Sequence, residues 1–323
     1  MKIVRYHEKG LPEVLQVEDA PTPILADGQV LVRIEACGIK YGEVLQRSGK
    51  HYPIPVTLPF LPGGSIAGVV EQVAPKANAD LLGKRVYCSV TSGGYAEYIA
   101  VPDETCVPIP ENVDSVSAVA VLSDGVTASI LLKHAARIQP GQSIFIPAAA
   151  GGLGNLALQL AKIYGATNVI CAASTPEKRQ AVLDLGANAV IDYTKEGWSR
   201  DVLAANGGVG VDIALEMTGG AVFYETLEIV KPGGVIVNYG NASDTPAPVN
   251  PRDLLRKGLT LVGFATRVYP QYIRSTCVEL LDLLSKREIS AQFQTYPLDQ
   301  AFSAHAAIEN RSSQGRQILV PST

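Results

Sequence analysis

The chain has 323 residues, a formal charge of −4, 47% hydrophobic and 18% charged residues. That length suits two domains with substantial cores, and that composition excludes intrinsic disorder. With no run of Lys or Arg, neither nucleic acid nor an anionic membrane surface is an expected partner.

The opening MKIVRYHEKG has no apolar segment of the secretory type. Residues 142–161, read as the most apolar long window, are broken by Pro147 and three glycines, so no membrane span is expected there. A cytoplasmic location follows as the expectation. Through residue 120 the pattern is all-β. VLVRIEACGI (30–39), SIAGVVEQVA (65–74), KRVYCSV (84–90) and AEYIAVP (96–102) are β-branched or alternating runs separated by Gly- and Pro-rich turns. This predicts a compact barrel-like or sandwich domain.

Beyond residue 121 the rhythm changes. Strands at 143–148, 168–173, 189–193, 211–217, 233–240 and 259–264 alternate with helical stretches, among them LGNLALQLAKIYG and PEKRQAVLDLG. Alternation at this spacing predicts βαβ units and an α/β, doubly wound parallel sheet of Rossmann type. An amphipathic helix, QYIRSTCVELLDLLSKREI, and a last strand, RQILVP, complete the chain. The predicted organisation is a dinucleotide-binding domain over 121–266 inserted in a mostly β domain made of 1–120 and 267–323.

The stretch IFIPAAAGGLGNLALQLAK places a glycine turn between a strand and a helix. Gly151 and Gly154 stand where a G-x-G-x-x-G fingerprint has its second and third glycines, and Ala149 replaces the first. In such a turn the backbone approaches a pyrophosphate, which sits on the N–H groups at the helix N-terminus. Ala150, Gly151, Gly152 and Leu153 are therefore the candidate phosphate cradle. About 20 residues on, an acid would select NAD by binding the ribose 2′-OH. Here the second strand ends in Ala173 and Ser174, with Lys178 and Arg179 following. A missing carboxylate and nearby cations favour a 2′-phosphate, hence NADPH.

Five cysteines (Cys37, Cys88, Cys106, Cys171, Cys277) and four histidines (His7, His51, His134, His305) are scattered without metal-ligand spacing, and no metal site is expected.

Read together, EVLQVEDAPTPILADGQVLVRIEACGI, LPGGSIAGVVEQV, GGYAEYIAVP, DGVTASILL, AAGGLGNLALQLAK, VNYGNAS and RSSQGRQILVP resemble the medium-chain dehydrogenase/reductase superfamily. Within it they resemble the zinc-free quinone oxidoreductases, whose turns commonly read A-A-G-G-V-G. The resemblance implies a GroES-like first domain and a homodimer formed through the last sheet strand, here LTLVGF. It also implies that Thr127, Asn241 and the backbone around Phe264 meet the nicotinamide end of the cofactor, and that Tyr239 binds the cofactor. Ser174, Lys178, Tyr193 and Arg311 would meet the adenosine 2′-phosphate. The sequence departs from the zinc alcohol dehydrogenases: GIKYGEVL lacks their catalytic Cys, Gly63-Gly64-Ser65 stands where they carry G-H-E, and no four-cysteine lobe follows VYCSV.

Without a Lewis acid, hydrogen-bond donors must stabilise the developing oxyanion. Candidates lie in GIKYGEVLQRSGKHYP. Lys40 stands where relatives usually have Asn, Tyr52 matches a pocket tyrosine of the family, and Tyr41 lies beside Lys40; a second family tyrosine is replaced by Leu45. Lys40 is expected to stabilise an enolate or to pair with Glu43. The activity implied is NADPH-dependent, metal-independent reduction of a small quinone or α,β-unsaturated carbonyl. The alternatives are an enoyl-thioester or 2-alkenal reductase and a non-catalytic NADPH-binding redox sensor.

Overall fold

The computed structural model describes every residue except His51, Asp244, Pro246, Arg311, Gln314, Ser322 and Thr323. Its contacts divide the chain into two units, Met1–Ser123 with Cys277–Thr323, and Asp124–Thr276.

The first unit opens with a ribbon of β1 (Lys2–Arg5) and β2 (Gln16–Asp19). After it come β3 (Gln29–Gly38), helix α1 (Tyr41–Ser48), β4 (Ser65–Val73), β5 (Arg85–Ser89), β6 (Tyr98–Pro102) and β7 (Cys106–Pro108). Strand β3 organises this unit. Its VLV run is buried without alternation, as in a strand covered on both faces, and it pairs along both edges. One edge takes β4; the other takes β6 along Gln29–Arg33 and the chain's last strand at Cys37 and Gly38. Splitting an edge between two partners curls the sheet into the barrel-like form the sequence predicts, and Val32, Ile34, Ile66, Val86 and Val101 fill it.

Helix α2 (Ser115–Ile130), extended by a π turn over Leu131–Ala135, has no counterpart in the sequence reading. Together these residues are long and apolar enough to cross a membrane, yet 78% of their apolar window is buried inside the protein. The segment is thus a core helix, mostly apolar with its few polar residues spread around it. It corrects the sequence reading, which looked for the chain's most apolar segment at 142–161.

The second unit follows the βαβ rule. In order come β8 (Ser143–Ile146), α3 (Gly152–Ile163), β9 (Asn168–Ala172), α4 (Pro176–Asp184), β10 (Ala189–Ile191), α5 (Trp198–Ala205) and β11 (Val211–Glu216). Then come α6 (Gly220–Ile229), β12 (Val230–Asn238), α7 (Pro251–Lys257) and β13 (Thr260–Gly263). All six strands are parallel, in the order β10-β9-β8-β11-β12-β13, which is the doubly wound order of a dinucleotide fold. Phe145, Ile170, Ala214 and Ile236 from successive strands form its core, with Trp198 stacked on Phe145 at 5.2 Å between centroids. Helix α8 (Pro270–Ser285), β14 (Phe293–Pro297), α9 (Ala301–Glu309) and β15 (Arg316–Val320) end the chain, β15 being the strand that reaches β3.

Candidate functional site

Parallel strands end on one side of a sheet. The loops after β8, β9, β11, β12 and β13 therefore line one edge of the second unit, with the order reversing between β8 and β11. Open α/β sheets bind ligands at that place. Every described cofactor candidate of the sequence reading lies on this edge or, for Thr127, on α2.

The turn after β8 is built for close approach. Gly151 is the N-cap of α3 and, as a glycine, supplies no side-chain cap of its own. A Cβ on Gly154 would lie 2.7 Å from both the Ala148 carbonyl oxygen and the Ala149 Cα, so the helix presses on the strand end only because this residue is glycine. Ala148 takes the left-handed conformation (φ 49°), leaving Ala149 fully buried in an ordinary one. That is how alanine is tolerated at the first fingerprint position. Ala150 and Leu153 are half-buried around the turn. Asp124, which the sequence reading passed over, turns a carboxylate oxygen toward Gly152: a Cβ there would sit 2.1 Å from it. A carboxylate at a helix N-terminus is held by the free N–H groups and the dipole.

Next along the edge, the buried Ala173 follows the end of β9, and Ser174 is half-exposed. Thr175 caps α4, its hydroxyl accepting the Lys178 N–H at 3.3 Å. The Lys178 side chain is half-buried, and Tyr193 packs partly on the second unit's core. Arg311 lies outside the described residues.

At the other end, the Thr127 and Thr266 hydroxyls lie 3.2 Å apart. Phe264, two residues before Thr266, is buried, donates its N–H to the Asn238 carbonyl and stacks on Tyr269. The Asn241 side chain covers Gly219, whose Cβ would meet its Oδ1 at 2.0 Å. The Tyr239 N–H bonds the Glu216 carbonyl at 2.9 Å; burial, then Glu216 and Asp124, push its phenol well up. Glu216, also unforeseen, is fully buried. It accepts from the Thr218 and Gly219 N–H groups at 2.8 and 3.0 Å and from Asn238 Nδ2 at 3.2 Å. Desolvation raises its carboxyl even so.

In the first unit the three candidate donors converge on the start of α1. Lys40 is the N-cap and Tyr41 the first helical residue, while the Tyr52 ring lies on Gly42, where a Cβ would meet its Cζ and hydroxyl at 2.6 Å. Gly42→Ala is therefore expected to displace Tyr52 with little loss of stability, because the obstacle is a side chain that can move. Steady-state assays should show a changed acceptor KM, and unchanged kinetics would show that Tyr52 does not line the pocket.

The expected Lys40–Glu43 relation takes a different form from a simple surface pair. Lys40 Nζ donates to the Gly64 carbonyl at 3.0 Å. Glu43 is buried and accepts four donors: the Gly63 and Gly64 N–H groups at 3.2 and 2.9 Å, the Lys40 N–H at 3.0 Å and the Tyr95 hydroxyl at 3.2 Å. Since Tyr95 donates to Glu43, its oxygen takes the Nε2 proton of His305 at 2.8 Å. That fixes the His305 tautomer from the network. Burial, then Arg47, drive the His305 pKa down to about 3.

Residues 26–111 match the family model described as the alcohol dehydrogenase GroES-like domain, and residues 152–286 match that described as zinc-binding dehydrogenase. The chain is 34% identical to the Homo sapiens quinone oxidoreductase, over 99% of this chain and 98% of that one. It is 32% identical to the quinone oxidoreductase of Pseudomonas aeruginosa, over 99% of each. A crystal structure of the Escherichia coli quinone oxidoreductase complexed with NADPH superposes with a TM-score of 0.92 at 28% identity, over 99% of this chain and 100% of that one. The chain belongs to the quinone oxidoreductase family of the medium-chain dehydrogenases/reductases, and is an oxidoreductase.

The zinc implied by one family description does not fit the donors present. Glu43 is engaged by four N–H and O–H groups, an ammonium sits on Gly64, and the Ser65 hydroxyl lies within 2.8 Å of Tyr87 Oη and 2.7 Å of Ser123 Oγ. Among the described residues no group of three or more His, Cys, Asp or Glu side chains is placed to hold a metal.

Proposed function

We propose that the protein reduces a quinone or an α,β-unsaturated carbonyl with NADPH and without a metal. The observation that carries this reading is the parallel-sheet edge that pairs a glycine turn with Ala173 and Ser174, in place of an acid, just after the second strand, with Lys178 and Arg179 a few residues on. The NADPH complex of the Escherichia coli relative supports it. NADPH, when bound, supplies a hydride from its nicotinamide ring. The N–H groups opening α3, at Gly152 and Leu153, hold the pyrophosphate; Ser174, Lys178 and Tyr193 face the 2′-phosphate. Thr127, Tyr239, Asn241 and Phe264 border the nicotinamide. As the acceptor's β-carbon or ring gains the hydride, charge grows on its oxygen. The Lys40 ammonium stabilises that oxygen, and Lys40, Tyr41, Tyr52 or water returns the proton.

Lys40→Met should lower kcat by about 100-fold with a smaller change in KM; an unchanged kcat would remove Lys40 from the chemistry. The whole reading is tested by following the nicotinamide absorbance with 1,4-quinones, 2-alkenals and crotonyl-CoA. Quinones or enones should turn over fastest. Preference for crotonyl-CoA would favour the enoyl-thioester alternative, and tight NADPH binding without any turnover would overturn the proposal. We further expect a cytoplasmic homodimer paired through β13, the edge strand of the second unit's sheet; a monomer in gel filtration would contradict the assembly.

A further inference from the structure

Lys178 and Arg179 follow one another in sequence, but their side chains do different things. On a helix, neighbours point about 100° apart, and side chains lean toward the N-terminus. Four residues into α4, Arg179 leans back over the end of β9. Its Nη1 lies 3.4 Å from the Ala173 carbonyl oxygen and 3.3 Å from that of Ser174. The same Nη1 is 3.1 Å from an Asp192 carboxylate oxygen, at the end of the neighbouring strand β10. Strands β9 and β10 run in parallel register, Ala172 beside Ile191, so Ala173 and Asp192 stand side by side at the sheet edge. Asp192 is itself held by Thr194, whose N–H and hydroxyl donate to its other oxygen at 3.2 and 2.6 Å. Among the described residues, Lys178 makes no side-chain hydrogen bond or ion pair.

The Ala173–Ser174 step is where a dinucleotide fold reads the ribose 2′ substituent. A guanidinium parked on those two carbonyls, anchored from one side by a buttressed carboxylate, is a fixed cation at that spot. All three of its contacts use Nη1, which leaves the Nε and Nη2 hydrogens for the oxygens of a phosphate, the fork geometry in which arginine outperforms lysine.

We propose that Arg179 is the residue that sets the preference for NADPH over NADH, by gripping the 2′-phosphate directly, and that Asp192 is its positioning residue. This deepens the proposed function and rests on its assignment of the dinucleotide edge. The Arg179–Asp192 pair keeps side-chain exposures of 22% and 15%; the fold does not depend on it, since partly solvated pairs contribute little.

The test measures equilibrium binding of NADPH, NADH, 2′,5′-ADP and 5′-ADP to the full-length wild type and to the Arg179→Ala, Arg179→Lys, Lys178→Ala and Asp192→Asn variants. Thermal melting confirms that each is folded. Arg179→Ala should weaken NADPH and 2′,5′-ADP at least tenfold and leave NADH and 5′-ADP within twofold. Arg179→Lys should recover part of the loss, and Lys178→Ala should lose less than Arg179→Ala. Asp192→Asn loosens the anchor of the guanidinium but keeps the guanidinium itself, so it should lose part of the NADPH preference, less than Arg179→Ala does and with NADH binding unchanged. An unchanged preference in Arg179→Ala would overturn the proposal, as would equal losses in Arg179→Ala and Asp192→Asn, which would mark a merely structural pair. A wild type that binds none of the four nucleotides would instead sink the underlying assignment of the dinucleotide edge.

Discussion

Glu43→Ala is expected to destabilise the protein by about 3–9 kcal/mol, taking about 1–3 kcal/mol for each of the three buried groups left unpaired. The carboxylate accepts from Gly63, Gly64, Lys40 and Tyr95, and the Gly63 and Gly64 amides and the Tyr95 hydroxyl are buried with it. Alanine leaves those donors facing a cavity, and α1 loses the side chain that satisfies the N–H of its N-cap. Against a total stability of about 5–15 kcal/mol, such a loss lowers the urea midpoint strongly. Glu43→Gln keeps the volume and one acceptor oxygen but turns an amide N–H₂ toward donors. Its loss should fall between wild type and Glu43→Ala. The consequence for function follows from the same contacts, because Glu43 fixes both the N-cap residue Lys40 and the Gly64 segment on which the Lys40 ammonium rests. A loss below about 1 kcal/mol for Glu43→Ala, within the range of a surface change, would show that this network is not structural.

The second large effect is a pH dependence. His305 is fully buried and has a folded pKa of about 3 against an ordinary 6.5, because burial and Arg47 disfavour its charged form. Between those two values the unfolded chain binds a proton that the folded protein refuses. The contribution to stability is complete above about pH 6.5 and is lost progressively as pH falls toward about 3. The slope is about 1.4 kcal/mol per pH unit, so acidification from 6.5 to 5 should cost about 2 kcal/mol from this residue alone. Above pH 5 most carboxylates have yet to titrate, which keeps the histidine signal separate. Urea unfolding at pH 7.5, 6.5, 5.5 and 5.0 should show a steep wild-type decline and a flatter one for His305→Gln, which cannot ionise. Parallel declines would place the pH sensitivity elsewhere.

The second unit was the more legible part of the chain. Helix α4 announces itself with a capping Thr175 and Pro176 in its first turn, and its stop is Gly186 at φ 93°; the strands around it alternate at βαβ spacing. Helix α2 was illegible for the opposite reason. SVSAVAVLSDGVTASI is mostly apolar with its few polar residues spread around it and is rich in β-branched residues, so no period separates it from a strand or a loop. The glycine turn could be read because its signal is local. Glu43 could be named as a neighbour of Lys40, but its engagement could not, since its partners include Tyr95, 52 residues away, and Tyr95 in turn meets His305 across 210 residues. Likewise Lys178 and Arg179 stand in the sequence as an undifferentiated basic pair. Only their directions on α4 show which one lies on Ala173 and Ser174. In this protein the cofactor class is written in short motifs, and the hydrogen-bonded ground beneath the candidate donors is written in contacts between distant segments.

The central claim, hydride delivery from NADPH to an electrophilic carbon or quinone without a metal, is tested most directly by label transfer. The purified protein, kept in a chelator, is given NADPH carrying deuterium at the transferred C4 position and an excess of its fastest acceptor in a single-turnover experiment. The account predicts an activity indifferent to the chelator and a slower nicotinamide decay than with unlabelled NADPH. With an enone, it also predicts deuterium on the product's β-carbon. Activity abolished by the chelator, or an enone product without deuterium on its β-carbon, would contradict it.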